Sequence, residues 1–277
     1  MPEVELSAGT IDYEDTSGGG PALVLLHGLA MDGSLWRHVV RELRDDHRCI
    51  VPTLPLGAHR RPMHADADLS LRGLGRLVGE FLARLDLRAI TLVGNDSGLA
   101  QVIAAERPER VGRLVLTSCE AFDNFPPGLP GRTVALAARL PGGLNALVQP
   151  MRLRPLRRLP LALGWMAKRP IPGEVTDAWV RPLLTQRKIR RDLVKYLRSC
   201  NPADFLEVAE RLRSFERPAL VVWAAEDRVM PPEHGRRLAD LFPEGRLVEI
   251  ADSYTLIPED QPGELARAIR EFIQETR

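Results

Sequence analysis

Six short apolar runs, separated by stretches of helical periodicity, constrain this chain more than any other feature of it. The runs are ALVLLHG (22–28), CIVPTLP (49–55), ITLVGN (90–95), RLVLTS (113–118), ALVVWAA (219–225) and RLVEIA (246–251). They are rich in Val, Ile and Leu without polar alternation, the pattern of strands buried on both faces. Between and after them lie the helical patterns SLWRHVVREL, LRGLGRLVGEFLARL, LAQVIAAERP, HGRRLADLF and GELARAIREFIQE. A strand that is apolar on both faces needs cover on both, and crossover helices supply it. The chain therefore reads as α/β, a doubly wound, mostly parallel sheet with helices on both faces. Catalytic groups in such a sheet belong on loops at the carboxyl ends of the strands.

One interval breaks the alternation. Residues 121–215 carry 17 Lys and Arg against 7 Asp and Glu, a net +10, while the rest of the chain is at −9. Prolines in NFPPGLPG, RLRPLRRLP and AKRPIPG cut this interval into short helical pieces. It reads as a separate unit inserted into the sheet. Its basic run, Arg152, Arg154, Arg157 and Arg158, is read first as a solvated face; acidic lipid, nucleic acid or an anionic substrate are the sharper alternatives. With 277 residues, 44% hydrophobic content and a formal charge of +1, the chain is neither disordered nor fibrous. Cys49, Cys119 and Cys200 are odd in number and show no CxxC spacing, which argues against a disulfide framework and a zinc site. No metal or cofactor is expected, and a reducing cytoplasm fits best. The acidic, alternating start MPEVELSAGTIDYED reads as strand rather than secretion signal. No uninterrupted apolar stretch reaches the roughly 18 residues of a membrane span. The expected partner is a small-molecule substrate, not nucleic acid or membrane, and the expected state is monomer or homodimer.

The segment LVGNDSGLAQ (92–101) carries the chemistry. A nucleophile elbow needs glycine two residues before and two after the attacking side chain, because the tight strand-to-helix reversal leaves no room for Cβ atoms. Asp96 has Gly94 and Gly98 in those places; Ser97 is one position out of phase. At these residues the chain resembles the α/β-hydrolase family, specifically the aspartate-nucleophile branch that contains haloalkane dehalogenases and epoxide hydrolases. The resemblance covers nearly the whole chain. It implies an eight-stranded mostly parallel sheet formed by residues 1–120 and 216–277, with 121–215 as a helical cap inserted after strand six. His27-Gly28 matches the family's HG motif, which implies an oxyanion hole from the backbone N–H groups of Leu29 and Ser97. In WAAEDRVMPPEH, Asp227 falls on the family's loop carboxylate.

The departure comes in ADSYTLIPEDQP, where alignment on Asp252-Ser253 and Gln261-Pro262 puts Tyr254 on the family's glycine and Thr255 on its catalytic histidine. A carboxylate ionised at pH 7 attacks carbon unaided, but hydrolysing the resulting ester requires a base to deprotonate water. Threonine is no such base. Of the histidines, His38 and His47 read as surface residues and His234 as a helix-capping residue. His27, His59 and His64 are placed near the pocket, where one of them could substitute. Glu120 stands where some haloalkane dehalogenases keep their acid; it or Asp227 could act as a raised-pKa base across a water. Asp123 is a candidate for the pocket entrance, or plain turn chemistry. Tyr254 either fills the missing imidazole's volume or offers a hydroxyl beside Asp96. Trp165, Trp179 and Tyr196 suggest a partly aromatic wall to the pocket.

Substrate class follows only in part. The resemblance places a halide-holding tryptophan and asparagine where this chain has Ser97 and Leu29, and a pair of epoxide-activating tyrosines where it offers only Tyr196. Three readings remain. The first is hydrolysis of an ester- or epoxide-like bond through Asp96 with an unconventional base. The second is a non-hydrolytic reaction such as elimination, ring opening, cyclisation or decarboxylation, and the third is a ligand-binding protein without turnover. The enzyme readings are preferred, because desolvating an unpaired aspartate costs several kcal/mol and needs a reason.

Overall fold

The computed structural model describes residues 1–276. Eight strands form one sheet: β1 (Glu3–Leu6), β2 (Gly9–Asp15), β3 (Ala22–Leu26), β4 (Arg48–Pro52), β5 (Ile90–Asp96), β6 (Val111–Cys119), β7 (Ala219–Ala224) and β8 (Gly245–Ile250). Their order is β1-β2-β4-β3-β5-β6-β7-β8. The β1–β2 and β2–β4 pairs are antiparallel and every other pair is parallel. The N-terminal stretch is thus a hairpin turning at Ser7–Ala8 rather than a single strand. β5 and β7 are buried along their whole length, as their unbroken apolar sequences require.

Helices α1 (Arg37–Leu43), α2 (Leu71–Arg84) and α3 (Leu99–Glu106) follow β3, β4 and β5. Between β6 and β7 the chain forms α4 (Gly128–Arg139), α5 (Gly143–Val148), α6 (Gly173–Thr185), α7 (Arg187–Ser199) and α8 (Pro202–Leu212). The remaining helices are α9 (Pro232–Ala239), the single turn α10 (Ile257–Asp260) and α11 (Pro262–Glu275). α1 packs on α11 and α2 on α3. The prolines keep residues 149–164 in tight turns, yet α6 and α7 each run 13 residues, longer than the proline count suggests.

The insertion is fastened to the sheet domain by buried polar contacts. Asp192, in the middle of α7's buried stripe, accepts from the Met63 amide at 2.8 Å and lies 3.3 Å from His59 Nε2. Asp260 accepts from the amides of Lys168 and Arg169 at 2.9 and 2.8 Å. The Trp179 indole donates to Asp32 Oδ1 and Ser34 Oγ at 3.1 and 2.9 Å. Each bond satisfies a group that burial would otherwise leave costly.

α2 holds three glycines, and two of them make opposite demands. A Cβ at Gly75 would lie 2.8 Å from the stiff Val102 side chain of α3, whereas one at Gly79 would meet nothing nearer than Arg107 at 3.7 Å. Relieving glycine's backbone entropy is worth about 0.5–1 kcal/mol in a helix interior. Gly79→Ala is therefore expected to raise unfolding stability by about that amount, and Gly75→Ala to lower it. Urea denaturation of the two variants beside the parent measures both signs.

Candidate active site

Asp96 ends β5 with φ +65, a left-handed conformation that a non-glycine residue holds only where its surroundings enforce it. The enforcement is visible. The Ser97 amide reaches back to the Asn95 carbonyl at 2.8 Å, closing a γ-turn on Asp96. A Cβ at Gly94 would come within 2.8 Å of Ala100, and one at Gly98 within 2.2 Å of the Phe205 ring. In the loop just after the neighbouring strand β3, the Gly28 Cα abuts the carboxylate itself: a Cβ there would sit 1.9 Å from Asp96 Oδ2. That same oxygen accepts from the Leu29 amide at 2.9 Å.

The side chain is 4% exposed and opens onto a cavity of about 320 Å³. Burial pushes its pKa up to about 7; the Leu29 bond pulls the other way, and the charge of Asp227 adds to the rise. Asp96 therefore holds a proton more readily than an ordinary aspartate, and burial works against the ionised form assumed from the sequence.

Two more acids stand close by. Glu120 follows β6, lines the same cavity and is pushed well above the usual carboxyl range by burial and then by the charge of Asp96. Its carboxyl accepts from the Gly98 amide at 3.2 Å and meets the Tyr196 hydroxyl at 3.4 Å. Asp227 follows β7 and is also raised by burial. Its Oδ1 takes the amides of Val229 and Met230 at 2.9 and 2.8 Å and the Thr255 hydroxyl at 2.7 Å, while its buried Oδ2 has no partner among the described residues. Asn95 ties this corner to the elbow by donating to the Thr255 carbonyl at 2.9 Å.

Of the residues singled out from the sequence, Asp96, Glu120, Leu29 and Trp179 line the cavity. Thr255 is buried and Asp227 half-buried, and neither lines the cavity. Tyr196 is buried behind Glu120 rather than on the wall. Several other placements are corrected. His27 lies between the Gly28 carbonyl and the Leu54 amide, at 2.9 and 2.8 Å, and burial lowers its pKa to about 4. Ser97 gives its amide to Asn95 and its hydroxyl to the His27 carbonyl at 3.1 Å, so it offers Asp96 no second donor. The Tyr254 ring stacks under the Arg228 guanidinium at 4.5 Å and neither plugs the site nor faces Asp96. Asp123 is exposed and sits 3.9 Å from His234. Trp165 is half-buried against the core outside the cavity. His47, read as a surface residue, is 3% exposed. His59 belongs to Asp192, and His64 meets the Ser7 carbonyl at 3.2 Å. No histidine lines the cavity among the described residues.

The walls are what sequence reading missed. Val134, Leu144, Leu147, Leu156, Leu163 and Leu183 enclose a space whose only charged groups are Asp96 and Glu120. The signal was present as leucines spaced through LNALVQPMRLRPL, overshadowed by arginines and prolines.

The α/β-hydrolase-fold family model matches residues 21–262. The chain belongs to that family. It is an enzyme of the α/β-hydrolase superfamily, a hydrolase or a relative of one. It is 27% identical over 281 residues to haloalkane dehalogenase 2 of Mycobacterium tuberculosis, covering 96% of this chain and 92% of the relative. It is 28% identical over 273 residues to the cis-3-alkyl-4-alkyloxetan-2-one decarboxylase of Xanthomonas campestris, covering 92% and 89%. A haloalkane dehalogenase loop variant from Bradyrhizobium elkanii superposes with a TM-score of 0.82 at 18% identity, over 99% of this chain and 96% of that one. These likenesses agree with the α/β-hydrolase sheet seen here.

Asp96 also links this site to stability. Its folded pKa, about 7, lies above that of the unfolded chain, so folding favours the protonated form. The penalty for ionising it is absent below about pH 4, grows through the interval and is complete above about 7. Asp96→Asn, neutral at all pH and similar in shape, is expected to be more stable than the parent by a few kcal/mol at pH 8 and about equal at pH 4. Thermal melts at the two pH values measure the difference.

Proposed function

We propose that this α/β-hydrolase-family enzyme uses Asp96 to attack an apolar small molecule and that its turnover consumes no water. The observation that carries the reading is Thr255: its hydroxyl donates to Asp227, and among the described residues no histidine lines the cavity onto which Asp96 opens. Neither remaining acid suits the task of deprotonating a water. Burial pushes Glu120 well above the ordinary carboxyl range, which suits it to donate a proton rather than take one. Asp227 lies behind the wall, with one oxygen fully engaged.

A strained cyclic ester shows how such a site turns over. The Asp96 carboxylate attacks the alkyl carbon of the ring; that carbon's bond to the ring oxygen breaks and releases a carboxylate on the substrate. Loss of CO2 from that carboxylate forms an alkene and expels Asp96 as carboxylate. Every bond is accounted for, and no water, base or external proton enters. The Leu29 amide stabilises the departing aspartate in the last step and orients it in the first. The decarboxylase relative, named for an oxetanone substrate, supports this class. An apolar pocket suits it too, since decarboxylation proceeds faster out of water.

Turnover of an alkyl β-lactone panel in 18O-labelled water is expected to give an alkene and CO2, with no labelled acid or alcohol. Asp96→Asn should reduce the rate on the order of 10⁴-fold. Label in an acid or alcohol product overturns the water-free reading, and full activity in Asp96→Asn overturns the nucleophile. A second measurement concerns the missing base. With a reactive haloalkane, the parent is expected to accumulate an ester on Asp96 that intact-protein mass spectrometry detects, and Thr255→His is expected to release it. Because only ionised Asp96 attacks, the rate of adduct formation should rise with pH through about 7.

A further inference from the structure

Helix α4 is amphipathic in the wrong direction. Its buried residues are Pro130, Gly131, Ala135 and Ala138, whereas Leu129 and Leu136, with Leu140 just past its last turn, are 57, 60 and 57% exposed. At about 100° per residue the three leucines fall within an arc of about 40°, and Arg132 and Arg139 flank it about 60–80° to one side. The neighbouring turn repeats the pattern: Leu153 and Leu159 are 62 and 51% exposed between Arg152, Arg154 and Arg158. A helix that only closed a pocket would gain by turning its leucines inward, since each exposed one forgoes its hydrophobic transfer energy.

This face is also where the cavity opens. Leu159 and Leu161 both line the cavity and are 51 and 45% exposed, and the segment Pro160–Gly164 that carries Leu161 packs against α4. The insertion that bears the leucines holds the chain's excess positive charge, +10 over residues 121–215. Arg132 and Arg158 are exposed and make no hydrogen bond or ion pair among the described residues. Leucines ringed by arginines, two of them without a partner among the described residues, match an interface between acyl chains and anionic headgroups. A second copy docking by the same face would set one basic surface against another. Nucleic acid would use the arginines and leave the leucines wet.

We propose that α4 and the 152–161 turn dock on an anionic lipid surface, so that the cavity receives its apolar substrate from the bilayer. The contact is peripheral: no helix of the described residues is long and apolar enough to cross a membrane. It revises the expectation of no membrane partner, and it stands apart from the chemistry proposed for Asp96, because docking needs no turnover.

The test is co-sedimentation of the full chain with vesicles of phosphatidylcholine alone or mixed with phosphatidylglycerol. Binding is expected to the mixed vesicles, to be weak on phosphatidylcholine alone and to fall as salt is raised. Leu136→Ser with Leu140→Ser should weaken binding at least about tenfold. Arg132→Gln with Arg158→Gln should weaken it by about 25-fold. All four sites are exposed, so circular dichroism melts should match the parent, and Asp96→Asn should bind as the parent does. No sedimentation, equal binding to both vesicle types, or binding of duplex DNA in place of vesicles overturns the proposal. A parent dimer by light scattering that the two serine substitutions convert to monomer also overturns it, by assigning the face to a second copy.

Discussion

The contact between the Asp96 carboxylate and the Cα of Gly28 ties the sheet to the site. β3 and β5 are parallel neighbours in register, with Leu26 opposite Gly94, so the chain leaving β3 passes directly beside the turn that ends β5. Only a glycine lets the two loops approach closely enough for the Leu29 amide to reach Oδ2. The left-handed φ at Asp96 and the glycines on either side follow from the same crowding. Local strain of about 1–3 kcal/mol is held by strands that are buried along their length and have no freedom to relax. Removing the strain would mean moving β5, the centre of the sheet.

The second constraint is electrostatic. Asp96 and Glu120 are buried and Asp227 half-buried, and the hydrogen-bond partners of all three are neutral: backbone amides and the hydroxyls of Thr255, Ser118 and Tyr196. Three ionised carboxylates in so small a volume repel one another and lose hydration, so the cluster keeps protons into the neutral range. An imidazolium among them would offset that charge. Here the nearest side-chain donor to Asp227 is the neutral Thr255 hydroxyl, so burial raises the acids without an opposing positive charge.

The strands were legible because a parallel sheet buried on both faces leaves an unbroken apolar run in sequence. The elbow was legible because sterics fix its glycine spacing. Thr255 could be placed by the flanking Asp-Ser and Gln-Pro pairs. What escaped was set by partners far along the chain. His27 reads as a pocket histidine until Leu54, 27 residues away, is seen to donate to it. Tyr254 reads as a plug until Arg228 covers its ring. The hairpin between β1 and β2 escaped because Ser7-Ala8 carries little turn chemistry of its own. The cavity walls escaped because no periodicity links leucines spread over α4–α7 and the turns between them.

Sheet and insertion therefore contribute different physical quantities to one site. The sheet supplies position: a strained turn, a glycine and one amide donor. The insertion supplies the dry walls, and burial is the largest cause of the raised pKa of Asp96. That cause depends on closure. If α4 and the 152–161 turn draw away from the sheet, water reaches the carboxylate, its pKa falls toward the ordinary value of about 4, and the group ionises. Closing over an apolar substrate reverses the process unless ionisation comes first. An ionised Asp96 caught beneath a bound apolar molecule is a poorly solvated carboxylate with one hydrogen bond, and it sheds that free energy by taking up a proton or, in the chemistry proposed above, by bonding to carbon.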